Sequence, residues 1–218
     1  MTPAEVRLLC AGARELGVDV GSEAVDRIAR FLGVLVLWNR RIHLTGERGI
    51  PNLIRNHVID SLAPARHIPR SGLLIDIGSG AGFPGIVLAC LHPDLQLALI
   101  DSRRRRASFL REAIRAIPLP AARVLEMRAE EAAADPELAG RAAVTISRAV
   151  RLDVFLAAAV PLLAAHGTAI AMQTPRTARL ARECALQFGL RVAARSDYAL
   201  PGGAARTLLF FERASPVS

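Results

Sequence analysis

The first seventy residues place apolar side chains at helical spacing. The first apolar run stops at Gly17, and Ser22 is a candidate N-cap for the second. We therefore expect residues 1–70 to form a helical extension packed on the rest of the chain. Its predicted elements are helices over residues 6–16, 25–38 and 51–63 and a polar loop over residues 39–46.

From residue 71 onward, short apolar runs alternate with helical stretches, a pattern typical of a parallel sheet with helices on both faces. Two further strand-like segments, 190–200 and 205–213, are separated only by a Pro-Gly-Gly turn, so they should pair as an antiparallel hairpin at one sheet edge. The predicted strands before the hairpin cover residues 73–77, 96–100, 123–127, 143–147 and 168–172. The predicted helices cover residues 84–91, 103–117, 130–134, 152–165 and 176–188.

This layout over residues 71–218 is Rossmann-like α/β, with a mostly parallel seven-stranded sheet and a C-terminal antiparallel hairpin. It is the layout of class I S-adenosylmethionine-dependent methyltransferases. A chain of 218 residues with 52% hydrophobic and 22% charged residues is long and apolar enough to bury a core. The longest apolar stretch, 152–165, is too short for a membrane helix and carries Asp153 and Pro161.

Targeting and redox signals point to the cytoplasm. The N-terminus lacks the basic and apolar regions of a signal peptide. The three cysteines, Cys10, Cys90 and Cys184, are far apart and form no CxxC pair. We therefore expect a reduced, cytoplasmic protein without a metal site, and we expect a monomer.

The charge of the chain is strongly basic. Lys plus Arg number 28 against 20 Asp plus Glu, a net charge of +8, and every one of these cations is arginine. Arginine stays charged and binds phosphate with two parallel hydrogen bonds, so a polyanion such as nucleic acid is an expected partner. A genome biased toward arginine codons is the alternative; it explains the missing lysine but not the excess of positive charge.

A glycine-rich loop follows the first predicted strand, from Asp76 to Gly85. Glycines at such a turn permit positive φ and let a ligand approach the backbone. A dinucleotide fingerprint would need glycine where Phe83 stands, whereas Asp76 suits the cationic ammonium of S-adenosylmethionine. A tight turn without a ligand is the alternative, which the density of glycines disfavours.

An acidic residue, Asp101, ends the second predicted strand, where it could accept hydrogen bonds from ribose hydroxyls or cap a helix together with Ser102. The next four residues, Arg103 to Arg106, put cations at a predicted helix N-terminus, against the helix dipole. RNA phosphate is one candidate for compensating them. A solvated face that pairs with Glu130 or Glu131 is the other.

Several short blocks, in order along nearly the whole chain, resemble the RsmG (GidB) family of bacterial 16S rRNA guanine-N7 methyltransferases. The blocks are Trp38-Asn39-Arg40-Arg41-Ile42-His43-Leu44-Thr45, His57-Val58-Ile59-Asp60-Ser61, the glycine loop with Phe83-Pro84-Gly85, Asp101-Ser102 with Arg105-Arg106 and Phe109-Leu110, and Ile146-Ser147-Arg148-Ala149.

The resemblance implies S-adenosylmethionine-dependent methylation of a guanine at N7 in 16S rRNA, as naked RNA or within the 30S subunit. It also implies the cofactor contacts: Gly78 and Phe83 line the cofactor, Ala129 and Glu130 lie beside the adenine, Asp101 holds the ribose and Arg148 reaches the site. We add Asp76 and Gly80 of the glycine loop to these candidates.

The chain departs from the family pattern at four residues. His43 stands where asparagine is usual, and Asn56 stands where a cation is common. Gln173-Thr174 replaces Lys-Gly after the fifth strand. If that lysine contacts RNA, another cation such as Arg176 must serve here.

The expected chemistry needs no acid–base pair, because guanine N7 carries a lone pair and no proton; we predict no catalytic residue in that sense. Arg40 and Arg41, with the 103–106 cluster, are the candidate RNA-binding residues. His57 and Asp60 share a helix face, which either meets the cofactor loop or RNA, or forms a buried His–Asp contact that ties the extension to the sheet. A small-molecule methyltransferase, a nicotinamide-dependent oxidoreductase and a non-catalytic RNA-binding protein are the rival hypotheses.

Overall fold

Seven strands form one sheet in the computed structural model, which describes residues 1–214. The strands are β1 (Gly72–Ile77), β2 (Leu95–Ile100), β3 (Ala122–Leu125), β4 (Ala142–Arg148), β5 (Leu163–Gln173), β6 (Leu190–Ala199) and β7 (Ala205–Arg213). Their order across the sheet is β3-β2-β1-β4-β5-β7-β6. The first five strands pair in parallel, and β7 is antiparallel to both β5 and β6. The predicted parallel sheet with a C-terminal hairpin is confirmed; the last four residues of the predicted 71–218 domain lie outside the described residues.

The helices occupy the predicted regions, with different ends. They are α1 (Pro3–Glu15), α2 (Ser22–Ile42), α3 (Ile50–Leu53), α4 (Ile59–Leu62), α5 (Gly85–Leu91), α6 (Arg104–Ala116), α7 (Leu152–Ala159) and α8 (Ala181–Leu186). A π-helical segment, Ile54–Val58, joins α3 to α4, and 3-10 turns cover Ala63–His67, Glu131–Ala134 and Thr177–Leu180.

Three predicted helix details are wrong. Gly21, not Ser22, is the N-cap of α2 and makes no side-chain cap. The helix runs four residues into the predicted 39–46 loop and ends at Ile42, because the next residue, His43, has a left-handed φ of 47°. The predicted 152–165 helix ends at Ala159, and residues 163–165 belong to β5, because an apolar run alone does not distinguish a buried helix from a buried strand.

The sheet is covered by helices on both faces. Alternate residues of β1 show the division: Leu74 joins the apolar cluster of one face and Ile75 that of the other. On the first face, α1–α6 pack over the sheet, and Phe31 of α2 is fully buried within that cluster. On the second face, α7 and α8 complete the layer. The helical residues of 1–70 thus share one core with the sheet, while their treatment as a separate domain stays a prediction.

Candidate functional site: the glycine loop and an adjoining cleft

The glycine loop leaves the carboxyl end of β1 in a conformation that favours glycine. Gly78, Gly80 and Gly82 have φ values of 74°, 54° and 84°, where a Cβ would be strained. The N–H groups of Gly78 and Ser79 donate to the carbonyl of Ile100, at 2.9 and 3.0 Å. The loop is therefore fixed to the end of β2. Gly82 is buried against Ile86 and Phe31, whereas Gly78 is exposed and Gly80 is half-buried, so a ligand can approach the backbone closely at these two.

Asp76 is a fully buried acid beneath this loop. Its Oδ2 accepts the Gly85 N–H at 2.9 Å, while its Oδ1 has no hydrogen-bond partner within residues 1–214. Burial raises the pKa of Asp76 to about 7, against the lowering effects of the Gly85 bond and the Arg148 charge. A buried carboxylate oxygen without a partner fits a cationic group, as the ammonium of S-adenosylmethionine would supply.

Asp101 anchors the loop and the start of α6. It is 5% exposed; its Oδ2 accepts the Gly80 N–H and its Oδ1 the Arg103 N–H, both at 2.9 Å. Nη1 of Arg106 lies 3.7 Å from Oδ2. Asp101 therefore supplies part of the compensation that the arginine cluster requires. Each oxygen of Asp101 can accept a second hydrogen bond, so a bond from a ribose hydroxyl stays a prediction.

Phe83 lies inside an aromatic and cationic stack. The ring is 3% exposed, stacks on His57 at a centroid distance of 5.0 Å and meets the edge of Phe31 at 5.1 Å. The Arg148 guanidinium lies 5.1 Å from the Phe83 centroid. This stack joins the π-helical segment to the glycine loop. Because the Phe83 ring is almost fully covered by it, the predicted cofactor contact of Phe83 is limited to the small part of the residue that stays exposed.

The two residues expected beside the adenine follow β3. Ala129 is half-buried and Glu130 is exposed just before a 3-10 turn. Because Leu125 of β3 pairs with Ile100 of β2, this segment leaves the same edge of the sheet as Asp101. The sheet therefore places both positions on the side of the glycine loop, and their contact with a cofactor stays a prediction.

Asp60, rather than a His–Asp pair, ties the helical extension to the sheet. It is 4% exposed and accepts hydrogen bonds from Nη1 of Arg148 at 3.0 Å and from the Tyr198 hydroxyl at 2.6 Å. Nε of Arg206 forms a longer ion pair with Asp60, at 3.9 Å. One carboxylate thus contacts β4, β6 and β7.

His57 has other partners, so the expected His–Asp contact is wrong. Its Nε2 lies 2.7 Å from Oγ1 of Thr45, and no hydrogen bond joins it to Asp60 in the described part of the chain. Burial, with the nearby Arg148 charge, lowers the pKa of His57 to about 4. The ring is therefore neutral at physiological pH. The loop that carries Thr45 is itself held by Asn39, whose Oδ1 accepts the Thr45 N–H at 2.9 Å.

A cleft of about 510 Å³ opens at the carboxyl ends of β4 and β5. It adjoins the glycine loop, because a Cβ on Gly78 would lie 2.8 Å from Val150, which lines the cleft. The amide of Gln173, which also lines the cleft, donates to the Val150 carbonyl at 3.4 Å. The polar side chains that line the cleft are Asn56, His57, Asp60, Arg148, Arg151, Gln173, Thr174, Thr177 and Arg206.

The two predicted basic clusters lie on neighbouring helices. Arg40 and Arg41 are exposed at the end of α2; of the second cluster, Arg103, Arg104 and Arg105 are exposed and Arg106 is half-buried. The rings of Trp38 and Phe109 join α2 to α6 at a centroid distance of 6.0 Å. The two clusters therefore lie on helices that pack against each other.

The described residues contain no helix that is long and apolar enough to span a membrane. Within residues 1–214, no group of three His, Cys, Asp or Glu side chains is placed to hold a metal ion.

The sheet order with its reversed last strand, the glycine loop after β1 and the acid at the end of β2 define a class I S-adenosylmethionine-dependent methyltransferase. M. jannaschii TYW2 in complex with AdoMet has this fold at a TM-score of 0.57 and 17% identity, over 72% of this chain and 76% of that one. A 16S rRNA adenine-N1 methyltransferase from Catenulisporales acidiphilia matches at a TM-score of 0.55 and 15% identity, over 74% of this chain and 93% of that one.

The sequence comparison gives the family. The family described as "GidB: rRNA small subunit methyltransferase G" matches residues 24–189, and the chain belongs to it. Ribosomal RNA small subunit methyltransferase G of Deinococcus radiodurans is 34% identical over 99% of this chain and 88% of its own length. The protein of the same name from Geobacter sp. (strain M21) is 34% identical over 94% of this chain and 96% of its own.

Proposed function

We propose that the protein transfers the methyl group of S-adenosylmethionine to N7 of a guanine in 16S rRNA. The observation that carries this proposal is the contact between the glycine loop and the cleft, where Gly78 meets Val150. It joins the candidate cofactor loop to an open cleft with arginine and amide side chains. The relatives of the chain are named ribosomal RNA small subunit methyltransferases, which supports the same function.

The candidate cofactor residues fit S-adenosylmethionine, which supplies an electrophilic methyl group on sulfur. Asp76 offers a buried carboxylate oxygen without a partner, Gly78 and Gly80 offer open backbone, and Asp101 lies where β2 ends, as a ribose contact requires. The remaining candidates occupy the flanks of this site. They are Phe83 and Arg148 on the cleft side and Ala129 and Glu130 after β3.

The residues of the cleft act by positioning. Guanine N7 attacks with its own lone pair, so no side chain has to remove a proton, and alignment supplies most of the catalysis. His57 is neutral and already engaged with Thr45, so it is not expected to act as a base. The purine gains positive charge in this step. Asp60 offsets the guanidinium charge of Arg148, which would otherwise oppose that gain.

The RNA would extend from the cleft over the basic surface of α2 and α6. Arg40, Arg41 and the 103–106 cluster are the residues we assign to phosphate contacts. Either naked 16S rRNA or the 30S subunit is an acceptable partner for this surface.

The test is methyl transfer from labelled S-adenosylmethionine to 30S subunits, naked 16S rRNA and a metabolite extract, all from a strain that lacks this protein. We expect label in one of the RNA samples, at a position that cleavage chemistry identifies as N7-methylguanine. Label only in small molecules would overturn the proposal in favour of a small-molecule methyltransferase. Ribosome binding with no thermal shift from S-adenosylmethionine would favour a non-catalytic RNA-binding protein.

A further inference from the structure

The cleft contains two guanidinium groups that share one carboxylate. Arg148 comes from β4 and Arg206 from β7, and both pair with Asp60. Two cations against one anion leave this wall of the cleft with a net positive charge. The hydroxyl of Tyr198 also donates to Asp60 but adds no charge.

The two arginines are held differently. Arg148 makes a direct 3.0 Å hydrogen bond to Asp60, lies over Phe83 and is 17% exposed. Arg206 is 32% exposed, and its Nε is 3.9 Å from the carboxylate, beyond hydrogen-bond range. A third arginine at the cleft, Arg151, is bound by both oxygens of Asp153. Of the three, Arg206 has the weakest contact with an acid.

Arg206 also lies on the side of the cleft away from the glycine loop. Its neighbour Thr207 pairs with Gln173 at the end of β5, and Arg206 itself pairs with Tyr198 across the hairpin. Strands are about 4.8 Å apart, so β7 lies roughly 10 Å beyond β4 in the sheet. The two guanidinium groups nevertheless meet at one carboxylate, since Arg148 and Arg206 lie 3.0 and 3.9 Å from oxygens of Asp60. A nucleotide whose base lies beside β4 can therefore bring its backbone phosphate to Arg206.

We propose that Arg206 binds a phosphodiester group of the nucleotide whose base occupies the cleft, and that Asp60 positions its guanidinium for this contact. The proposal rests on the proposed function, since it takes RNA as the occupant of the cleft. A guanidinium matches phosphate with two parallel hydrogen bonds. Nη1 of Arg206 donates to the Ala205 carbonyl at 3.1 Å, and the loose ion pair with Asp60 leaves the other N–H groups of the guanidinium for a ligand.

The test compares Arg206→Ala with Arg191→Ala, which removes the same charge from the neighbouring strand β6, where Arg191 pairs with Glu212. Binding of 16S rRNA and 30S subunits is measured over a range of salt, with cofactor affinity, kcat, KM and thermal midpoint alongside. For Arg206→Ala we expect about tenfold weaker RNA binding and a salt dependence reduced by about one ion. Cofactor affinity should change less than about twofold, and Arg206→Lys should recover part of the loss.

Each outcome decides the proposal. Arg206→Ala that behaves like Arg191→Ala overturns it, as does a loss confined to cofactor affinity. If Arg206→Ala unfolds, the comparison passes to Arg206→Gln, which keeps a polar side chain. If the wild-type protein binds rRNA but transfers no methyl group, the proposed function fails while the RNA-binding comparison still decides the role of Arg206. If the wild-type protein does not bind rRNA, both are overturned.

Discussion

Cofactor affinity should increase with pH through neutrality because of one buried carboxyl group. Burial raises the pKa of Asp76 to about 7, and its Oδ1 has no partner within the described chain. The carboxyl is therefore mostly protonated at about pH 6 and mostly ionised at about pH 8. An ammonium group pairs with the ionised form, so binding has to remove the proton at the lower pH.

The size of the effect follows from the pKa. With a value of about 7, the ionised fraction of Asp76 rises from about one-tenth at pH 6 to about nine-tenths at pH 8. The affinity for S-adenosylmethionine should therefore improve about tenfold between these values, or about 1.4 kcal/mol. The opposite sign holds for the ligand-free protein. A raised carboxyl pKa means that its stability should fall as pH rises from about 4 to about 7.

Isothermal titration calorimetry of S-adenosylmethionine and S-adenosylhomocysteine, at several pH values and constant ionic strength, measures this linkage. Both ligands carry the ammonium, whereas only the first carries the sulfonium, so we expect the same pH dependence for both. Asp76→Asn should bind more weakly at high pH and lose the dependence, because its amide does not titrate. A wild-type affinity that is flat across this range, or a slope that persists in Asp76→Asn, would refute the reasoning.

Other substitutions test separate parts of the site. Gly78→Ala should abolish cofactor binding. The control is Gly140→Ala, which has a similar φ of 67° but no atom within 4 Å of its Cβ, and it should lose only about 1–2 kcal/mol of stability. Equal cofactor affinities in the two variants would contradict this. Asp101→Ala should weaken cofactor binding by about 1–3 kcal/mol in an equilibrium titration, and an unchanged affinity would leave it only its role as an anchor of the loop. Neutralising residues 103–106 should flatten the salt dependence of RNA binding, and an unaltered slope would assign them to a solvated face. Because the pKa of His57 is lowered to about 4, the unfolded chain takes up its proton first, and the His57 contribution to stability should fall by up to about 3 kcal/mol as pH drops from about 6.5 to about 4. The Asp76 contribution has the opposite sign over this range, so the His57 contribution is measured as the difference between wild type and His57→Gln in denaturant titrations. A difference that does not change with pH would refute it.

The sheet could be predicted from the sequence because its strands are short, continuous apolar runs between glycines and polar residues. The hairpin could be predicted because only a Pro-Gly-Gly turn separates its strands. The end of α7 could not, since residues 154–165 carry no charge or polar side chain and a buried helix and a buried strand have similar composition. The polar start of the 39–46 segment suggested a loop, but the structure continues α2 to Ile42 and uses the side chain of Asn39 to hold the next turn.

Part of the candidate site, like part of the fold, could be predicted from the sequence. The glycine loop and Asp101 are local features, and a strand followed by glycines or by an acid is visible in the sequence. The Asp60 contacts are not, because Tyr198 lies 138 residues from Asp60 along the chain and the two meet only through the register of the hairpin. Periodicity assigns a residue to a face of its own element, but it does not say which residue of another element lies opposite.

Three buried acids surround the glycine loop, and their different partners explain why one of them should respond to the cofactor. Asp60 is paired with two arginines, and Asp101 with Arg106 and two backbone N–H groups. Asp76 has a single backbone N–H and no ion-pair partner within residues 1–214. A cationic ligand gains most at the carboxylate that the protein leaves uncompensated. The ammonium of the cofactor should therefore pair with the Asp76 carboxylate. Asp101 keeps the loop in place, and Asp60 holds the arginines of the cleft.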